Sequence, residues 1–192
     1  MSQEKTPEEE AQLEAKATVE SDMVYKGKRL SLRVDKITDD TGRTYKREII
    51  LHPGAVVMVP VDKEGNILLV RQWRRAANRI LMELPAGTLE EGEEPAYTAG
   101  RELQEEIGYK AGKLTPLGGF FSAPGFCTEY LHLFLAEDLE ESRLPADIGE
   151  EIEVVTVTLE EAIALIERGE IQDAKSVAGI SRYYIRLHAP HQ

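Results

Sequence analysis

Between Gly87 and Tyr109 the chain crowds one residue type at uneven spacing: Glu90, Glu91, Glu93, Glu94, Glu102, Glu105 and Glu106, with Arg101 among them and Gly87 and Gly108 near the two ends. Glu94 to Ile107 reads as a helix, because Pro95 suits a first turn and Gly108 suits a C-terminal cap. On that helix Glu102 and Glu106 stand four apart and share a face, while Arg101 and Glu105, also four apart, are placed to pair. Ala96, Ala99, Leu103 and Ile107 supply the buried side. Like charges four apart destabilise a helix by roughly 0.2–0.5 kcal/mol, so stacking glutamates here has a cost. A divalent cation removes it. Mg²⁺ takes oxygen ligands, keeps several waters and bridges carboxylates to substrate phosphates. Gly87, ahead of the helix, lets a loop bring a backbone carbonyl towards the same ion. A solvated acidic helix face is the plain alternative for a run of glutamates; the glycines and the arginine at set places argue for a site.

The rest of the composition narrows the partner. The chain has 192 residues and a formal net charge of −12. Nucleic acid is not expected as a partner, since phosphate-backbone binding wants a basic surface. A small phosphorylated substrate is compatible, held by a few arginines and by ions that carboxylates recruit. The longest apolar runs, such as Gly54 to Val61, are strand-sized and far from the roughly 20 residues of a membrane span. The N-terminus, MSQEKTPEEE, lacks the apolar core of a signal peptide. One cysteine, Cys127, forms no internal disulfide, which fits a reducing compartment. A cytoplasmic protein with no membrane partner is the expectation.

Along the chain, residues 1–21 read as an acidic tail or frayed helix, with helix formers from Pro7 to Val19. Residues 22–52 read as an N-terminal β region with strands at Met23–Tyr25, Arg29–Ile37 and Thr44–Leu51, broken by Gly27 and by the turn Asp39–Gly42. Residues 53–192 read as the main domain. Ala55–Val61 and Asn66–Arg74 look like a hairpin closed at Asp62–Gly65. Strands follow at Leu114–Phe121, Tyr130–Ala136 and Ile152–Leu159, an acidic loop at Glu137–Glu150, and helices at Glu160–Arg168 and Ala174–His188. Strands in the middle with helices around them predict a mixed sheet covered by helices.

The spacing Gly87, five residues, Glu93, seven residues, then Arg101-Glu102-Leu103-x-Glu105-Glu106-x-Gly108 resembles the Nudix box, the signature of hydrolases acting on a nucleoside diphosphate linked to another group. All of its glycine, arginine and glutamate positions are present. Tyr109 departs from the usual aliphatic residue, at a position that serves packing. Arg71-Gln72-Trp73-Arg74, Leu81-Met82-Glu83-Leu84-Pro85-Ala86-Gly87, Ser122-Ala123-Pro124-Gly125-Phe126 and Leu131–Ala136 resemble the ADP-ribose pyrophosphatase branch. Pro124 stands sixteen residues after Gly108, where that branch carries a marker proline. The resemblance runs from about Tyr25 to Leu187. It implies an α/β fold: a Nudix-like α/β/α sandwich with a mixed central sheet and a small N-terminal antiparallel sheet.

It also implies roles. Metal falls to the backbone carbonyl of Ala86 and to Glu102 and Glu106. Glu105 is either a further ligand or catalytic carboxylate, or the salt-bridge partner of Arg101, with equal weight. Glu93 orients the loop and Arg101. The general base in this branch sits on an acidic loop before a late strand, which points to Glu150, with Glu151 next; the plain alternative is loop charge. Arg74 resembles an arginine that grips a substrate phosphate through its bidentate fork, and Glu83 binds substrate or a metal shell. Arg47 and Glu48 resemble residues that reach across a dimer to the adenosine or ribose, and Tyr25 or Tyr45 are candidates to stack adenine. Trp73 is expected in the core or an interface. The implied activity is Mg²⁺-dependent hydrolysis (Mn²⁺ as substitute) of ADP-ribose to AMP and ribose 5-phosphate by a homodimer. The alternatives are another ADP-sugar, a GDP-sugar or a dinucleotide as substrate and, from another class, a non-catalytic ADP-ribose sensor.

Overall fold

The computed structural model describes residues 6–145 and 151–189. Its first helix, α1 (Pro7–Lys16), rests mainly on local chemistry, with a side-chain contact beyond it from the Tyr45 hydroxyl to Glu14 at 3.4 Å. Thr6 caps it, with the Thr6 side chain accepting from the Glu9 amide and the Glu9 side chain returning a bond to the Thr6 amide. No residue of α1 is buried. Three antiparallel strands follow in the order β1 (Thr18–Lys26), β2 (Ser31–Thr38), β3 (Thr44–Leu51). β1 is longer than the Met23–Tyr25 segment the sequence suggests and begins inside the stretch read as a tail. Its pairing with β2, from Thr18 opposite Thr38 to Lys26 opposite Ser31, supplies what its polar composition does not.

The described residues divide into two compact units. One lies within Met1–His52 and Ala123–Glu129, the other within Pro53–Ser122 and Tyr130–Gln192. In the first, Ile50 donates to and accepts from the 126–128 segment: its amide meets the Phe126 carbonyl at 2.7 Å and its carbonyl the Thr128 amide at 3.0 Å. Pro124 lies in the Ala123–Glu129 stretch of the same unit.

The second unit is built on β4 (Ala55–Pro60), buried at all six positions. A strand buried on both faces must be covered on both. Ala55, Val57 and Val59 join one core cluster with residues of α3 (Leu159–Glu167) and α4 (Ala174–His188). Val56 and Met58 join a second cluster with Ala99, Leu103 and Ile107 of the glutamate-rich helix. Alternation along one strand thus separates two helical layers, giving the expected α/β/α sandwich. The sheet containing β4 has the order β7 (Ala86–Thr88), β4, β9 (Tyr130–Glu141), β8 (Tyr109–Phe121). β4 runs parallel to β9, and the other pairs are antiparallel, so the sheet is mixed. A second, antiparallel sheet has the order β10 (Ile152–Val157), β5 (Ile67–Arg74), β6 (Arg79–Glu83).

Several expectations change. The segments read as one hairpin, 55–61 and 66–74, part into different sheets. After the turn, in which Asp62 accepts from the Glu64 and Asn66 amides, one bridge joins Val61 to Ile67. Each strand then takes other partners: both edges of β4 are occupied by β7 and the parallel β9, and both edges of β5 by β6 and the antiparallel β10. The short strands β6 and β7 carry too few residues to show alternation. β9 continues to Glu141, into the segment read as an acidic loop, because it pairs with β8 as far as Tyr109.

Candidate active site and metal centre

The glutamate-rich helix is not uniform. Pro95–Glu102 is α-helical (α2), and Leu103–Ile107 widens into a π turn, closed by Gly108 in the left-handed conformation with its amide bonded to the Leu103 carbonyl. Such wide turns recur at functional sites. The inner face is Thr98, Ala99, Leu103 and Ile107, each at most 1% exposed. Ala96, expected inside, is exposed. Thr98 takes the buried place because its hydroxyl donates to Glu93 Oε2 at 2.9 Å.

Arg101 is the hub of the carboxylates. Its guanidinium reaches Glu93 Oε2 at 3.2 Å, Glu102 Oε1 at 2.9 Å and Glu105 Oε2 at 2.8 Å. Burial works against its charge, but the hydrogen bond it donates to Glu93 and the charges of Glu102 and Glu105 outweigh it and hold the guanidinium protonated. Glu93 also accepts from the Glu90 amide, so it ties the preceding loop to Arg101. Its carboxyl is held below the usual range by the Arg101 hydrogen bond first, with Thr98 adding to it against the opposing effect of burial. The Arg101–Glu105 pair expected from the sequence is present.

Five consecutive residues, Glu83 to Gly87, are each fastened to a different neighbour. Glu83, 2% exposed, takes a bidentate fork from Arg74, Nε to Oε1 at 2.8 Å and Nη2 to Oε2 at 2.7 Å, and its Oε2 is also bonded by Lys175 Nζ. Burial raises the Glu83 carboxyl's pKa, and the Arg74 hydrogen bond with the Lys175 charge and hydrogen bond more than reverse this. The Leu84 amide donates to Ser176 Oγ at 2.6 Å. The Pro85 carbonyl accepts from the Met58 amide at 3.0 Å. The Ala86 amide donates to Glu106 Oε2 at 3.0 Å. Gly87 lies against the Glu102 carboxylate so closely that a Cβ there would stand 1.9 Å from Glu102 Cδ.

Two of the expected metal carboxylates, Glu106 (6% exposed) and Glu102, therefore flank the Ala86–Gly87 backbone. Among the described residues no three acidic, histidine or cysteine side chains already converge as a closed cage. Two carboxylates with a neighbouring backbone carbonyl fit a hard cation that keeps its waters and takes further oxygens from a phosphate. They do not fit a closed thiolate or imidazole site.

Of the other sequence candidates, Arg47 and Glu48 lie on β3 in the first unit, both exposed, with the Arg47 guanidinium 4.8 Å from the Tyr45 ring centroid. Glu150 lies outside the described residues. Trp73 is 52% exposed rather than in the core. Lys175, Asp173 and Ser176 carry no signal in the sequence beyond Asp173 standing as an N-cap before a helical pattern; the contact across 92 residues is legible only in three dimensions.

The NUDIX domain model matches residues 51–179. The chain belongs to the NUDIX domain family. This Nudix chain is 45% identical over 172 residues to the ADP-ribose pyrophosphatase of Bacillus subtilis (strain 168), covering 88% of this chain and 92% of the relative. It is 36% identical, over the same shares, to the methanol dehydrogenase activator of Bacillus methanolicus. Among solved structures, one described as an ADP compounds hydrolase superposes with a TM-score of 0.79 at 23% identity, covering 91% of this chain and 96% of that one; this likeness is one of fold. Nudix hydrolases need a divalent cation. Among the described residues no helix is long and apolar enough to cross a membrane.

Proposed function

We propose that this Nudix hydrolase splits the diphosphate of ADP-ribose into AMP and ribose 5-phosphate with Mg²⁺. The observation that carries the reading is the Glu83–Gly87 ridge. Glu102 and Glu106, carboxylates suited to a hard cation, flank its Ala86–Gly87 end, and Arg74, an arginine fork suited to a phosphate, is anchored at its Glu83 end. The ADP-ribose choice is supported by the 45% identity to a relative of that name.

In this reading Glu102, Glu106 and the Ala86 carbonyl hold the cation, with Glu105 shared between that task and Arg101. When bound there, a divalent cation would supply charge neutralisation on the phosphate oxygens and would lower the pKa of a bound water. Arg74 orients the diphosphate. Glu83 acts on substrate through Arg74, because both of its oxygens are already engaged. Glu150 takes the proton of the attacking water; Glu150→Gln should lower kcat by on the order of 10²-fold, and an unchanged kcat would move the role to Glu151. Arg47 and Glu48 contact the adenosine or ribose from a second copy of the chain.

We propose a cytoplasmic homodimer. Its support is β1, whose nine residues are all exposed in one chain, Met23, Val24 and Tyr25 among them, on the edge of its sheet. Light scattering that returned a monomer at micromolar concentration would refute it. The substrate is tested with a panel of ADP-ribose, other ADP-sugars, GDP-sugars and dinucleotides assayed with Mg²⁺ or Mn²⁺, resolving the phosphate products. Release of AMP and ribose 5-phosphate from ADP-ribose is expected. If ADP-sugars are untouched while a GDP-sugar or a dinucleotide is cleaved, the substrate is wrong and the chemistry stands. Binding of ADP-ribose without any turnover would make the chain a sensor.

A further inference from the structure

Glu83 is one buried carboxylate shared by two cations. Arg74 comes from the end of β5 and Lys175 from the first turn of α4. Lys175 is placed by its own neighbours. Asp173 caps α4 by accepting from the Ser176 amide at 3.1 Å, and the same oxygen, Oδ2, accepts from Lys175 Nζ at 2.8 Å. Ser176, fully buried, fastens that turn to Leu84. The result is a chain of alternating charge, Arg74, Glu83, Lys175, Asp173. Three members are largely shielded, with side chains 2% exposed for Glu83, 14% for Lys175 and 17% for Asp173, and Arg74 at the open end is 36% exposed.

A carboxylate as buried as Glu83 cannot lose its only cation without a heavy desolvation cost. If Arg74 were its one partner, an anionic substrate would have to pull the guanidinium away against that cost. A second cation fixed behind Glu83 removes the conflict, because the carboxylate stays paired while Arg74 turns its fork to a phosphate. We infer that Lys175 is a positioning residue for substrate binding: it holds the Glu83 charge so that Arg74 is available to the diphosphate. The downward displacement of the Glu83 pKa, to which the Lys175 charge contributes, agrees with a pair that is retained rather than neutralised by protonation. The inference rests on the assignment of Arg74 to the substrate phosphate.

The test is steady-state kinetics on ADP-ribose for the wild type and for Lys175→Met, Lys175→Arg, Glu83→Gln and the double variant Lys175→Met/Glu83→Gln, each with a thermal melt. In Lys175→Met the KM should rise on the order of tenfold, the size of one hydrogen bond to a charged group, with kcat within about threefold. Lys175→Arg, which keeps the cation, should stay near the wild-type KM. Once Glu83 carries no charge, Lys175 has no charge left to hold behind Arg74, and its pair with Asp173 is common to both backgrounds, so the double variant should match Glu83→Gln within about twofold. A Lys175→Met enzyme with unchanged KM, or a KM increase that persists in full in the Glu83→Gln background, overturns the inference. A merely structural lysine would lower the melting temperature in both backgrounds without this cancellation. If the wild type cleaves another nucleoside diphosphate compound and not ADP-ribose, the substrate proposal fails, and the same variant comparison on that compound decides the role of Lys175.

Discussion

Gly87→Ala separates the cost of folding from the cost of catalysis. Gly87 has no positive φ, so alanine meets no backbone strain there. Its Cβ, however, would stand 1.9 Å from Glu102 Cδ, 2.1 Å from Oε1 and 2.2 Å from Cγ, against the 3.4 Å at which ordinary van der Waals contact begins. The carboxylate must therefore move by about 1.5 Å. It is the end of a flexible side chain, 14% exposed, and can move by changing rotamer. Relief by a rotamer change costs about 1 kcal/mol, equivalent to a fall in melting temperature of about 2–4 °C for a chain of this length. Catalysis has no such relief. Misplacement of a site group by about 1 Å costs on the order of 10²-fold in rate, and Glu102 is proposed as a ligand of the cation. The expected variant is folded, melts within about 4 °C of wild type, loses on the order of 10²-fold or more in kcat, and needs more Mg²⁺ for half-maximal rate. The assays are a circular-dichroism melt and a Mg²⁺ titration of initial rate. A kcat within about threefold of wild type would refute the placement of Glu102 in the site. Global unfolding would refute the claim that the carboxylate alone absorbs the clash.

Glu106→Gln keeps an oxygen for the Ala86 amide but removes the charge offered to a cation, so turnover should fall by on the order of 10²-fold or more; near-normal kcat would remove Glu106 from the metal site. Ser176→Ala leaves the fully buried Leu84 amide without its acceptor, at a cost of about 1–3 kcal/mol, read as a lower urea midpoint; an unchanged midpoint would count against a stabilising role for the Leu84–Ser176 bond. Stability should also fall in acid. Glu83 has a folded-state pKa below its ordinary value of 4.5, so its stabilisation is present in full above pH 4.5 and is lost as pH falls through the lowered folded value. Melting temperatures of Glu83→Gln should therefore fall less than those of wild type between pH 5 and the acid limit, and parallel curves would contradict this.

How much of this was legible in the sequence depended on the range of the interaction. The Arg101–Glu105 pair and the cap at Gly108 are local, set by helical spacing and one left-handed residue, and both were readable. β4 was readable as a strand because six consecutive apolar residues admit little else, but not its partners, since a strand buried on both faces shows no alternation to tell one neighbour from another. β4 and β5 therefore look like one hairpin in sequence yet lie in different sheets. The placement of Thr98 inside and Ala96 outside goes against hydrophobicity because the Thr98 hydroxyl has an acceptor within reach in Glu93, a condition that residue type alone does not reveal.

The same division of range bears on chemistry and specificity. The carboxylates of the box, with Arg101 and Gly87, are organised mainly by contacts within about twenty residues of sequence, between the ridge and the helix that follows it. Arg74, proposed to hold the phosphate, is organised otherwise: it is held by Glu83 from the next strand, and Glu83 by Lys175 from the last helix, 92 residues away. On the proposed roles, substitutions around Lys175 should therefore reach the substrate without passing through Glu102 or Glu106. If that separation holds, variants of the Asp173–Ser176 turn should change KM and the ranking of substrates while leaving the metal dependence of the rate as it is, and variants of the box should do the reverse.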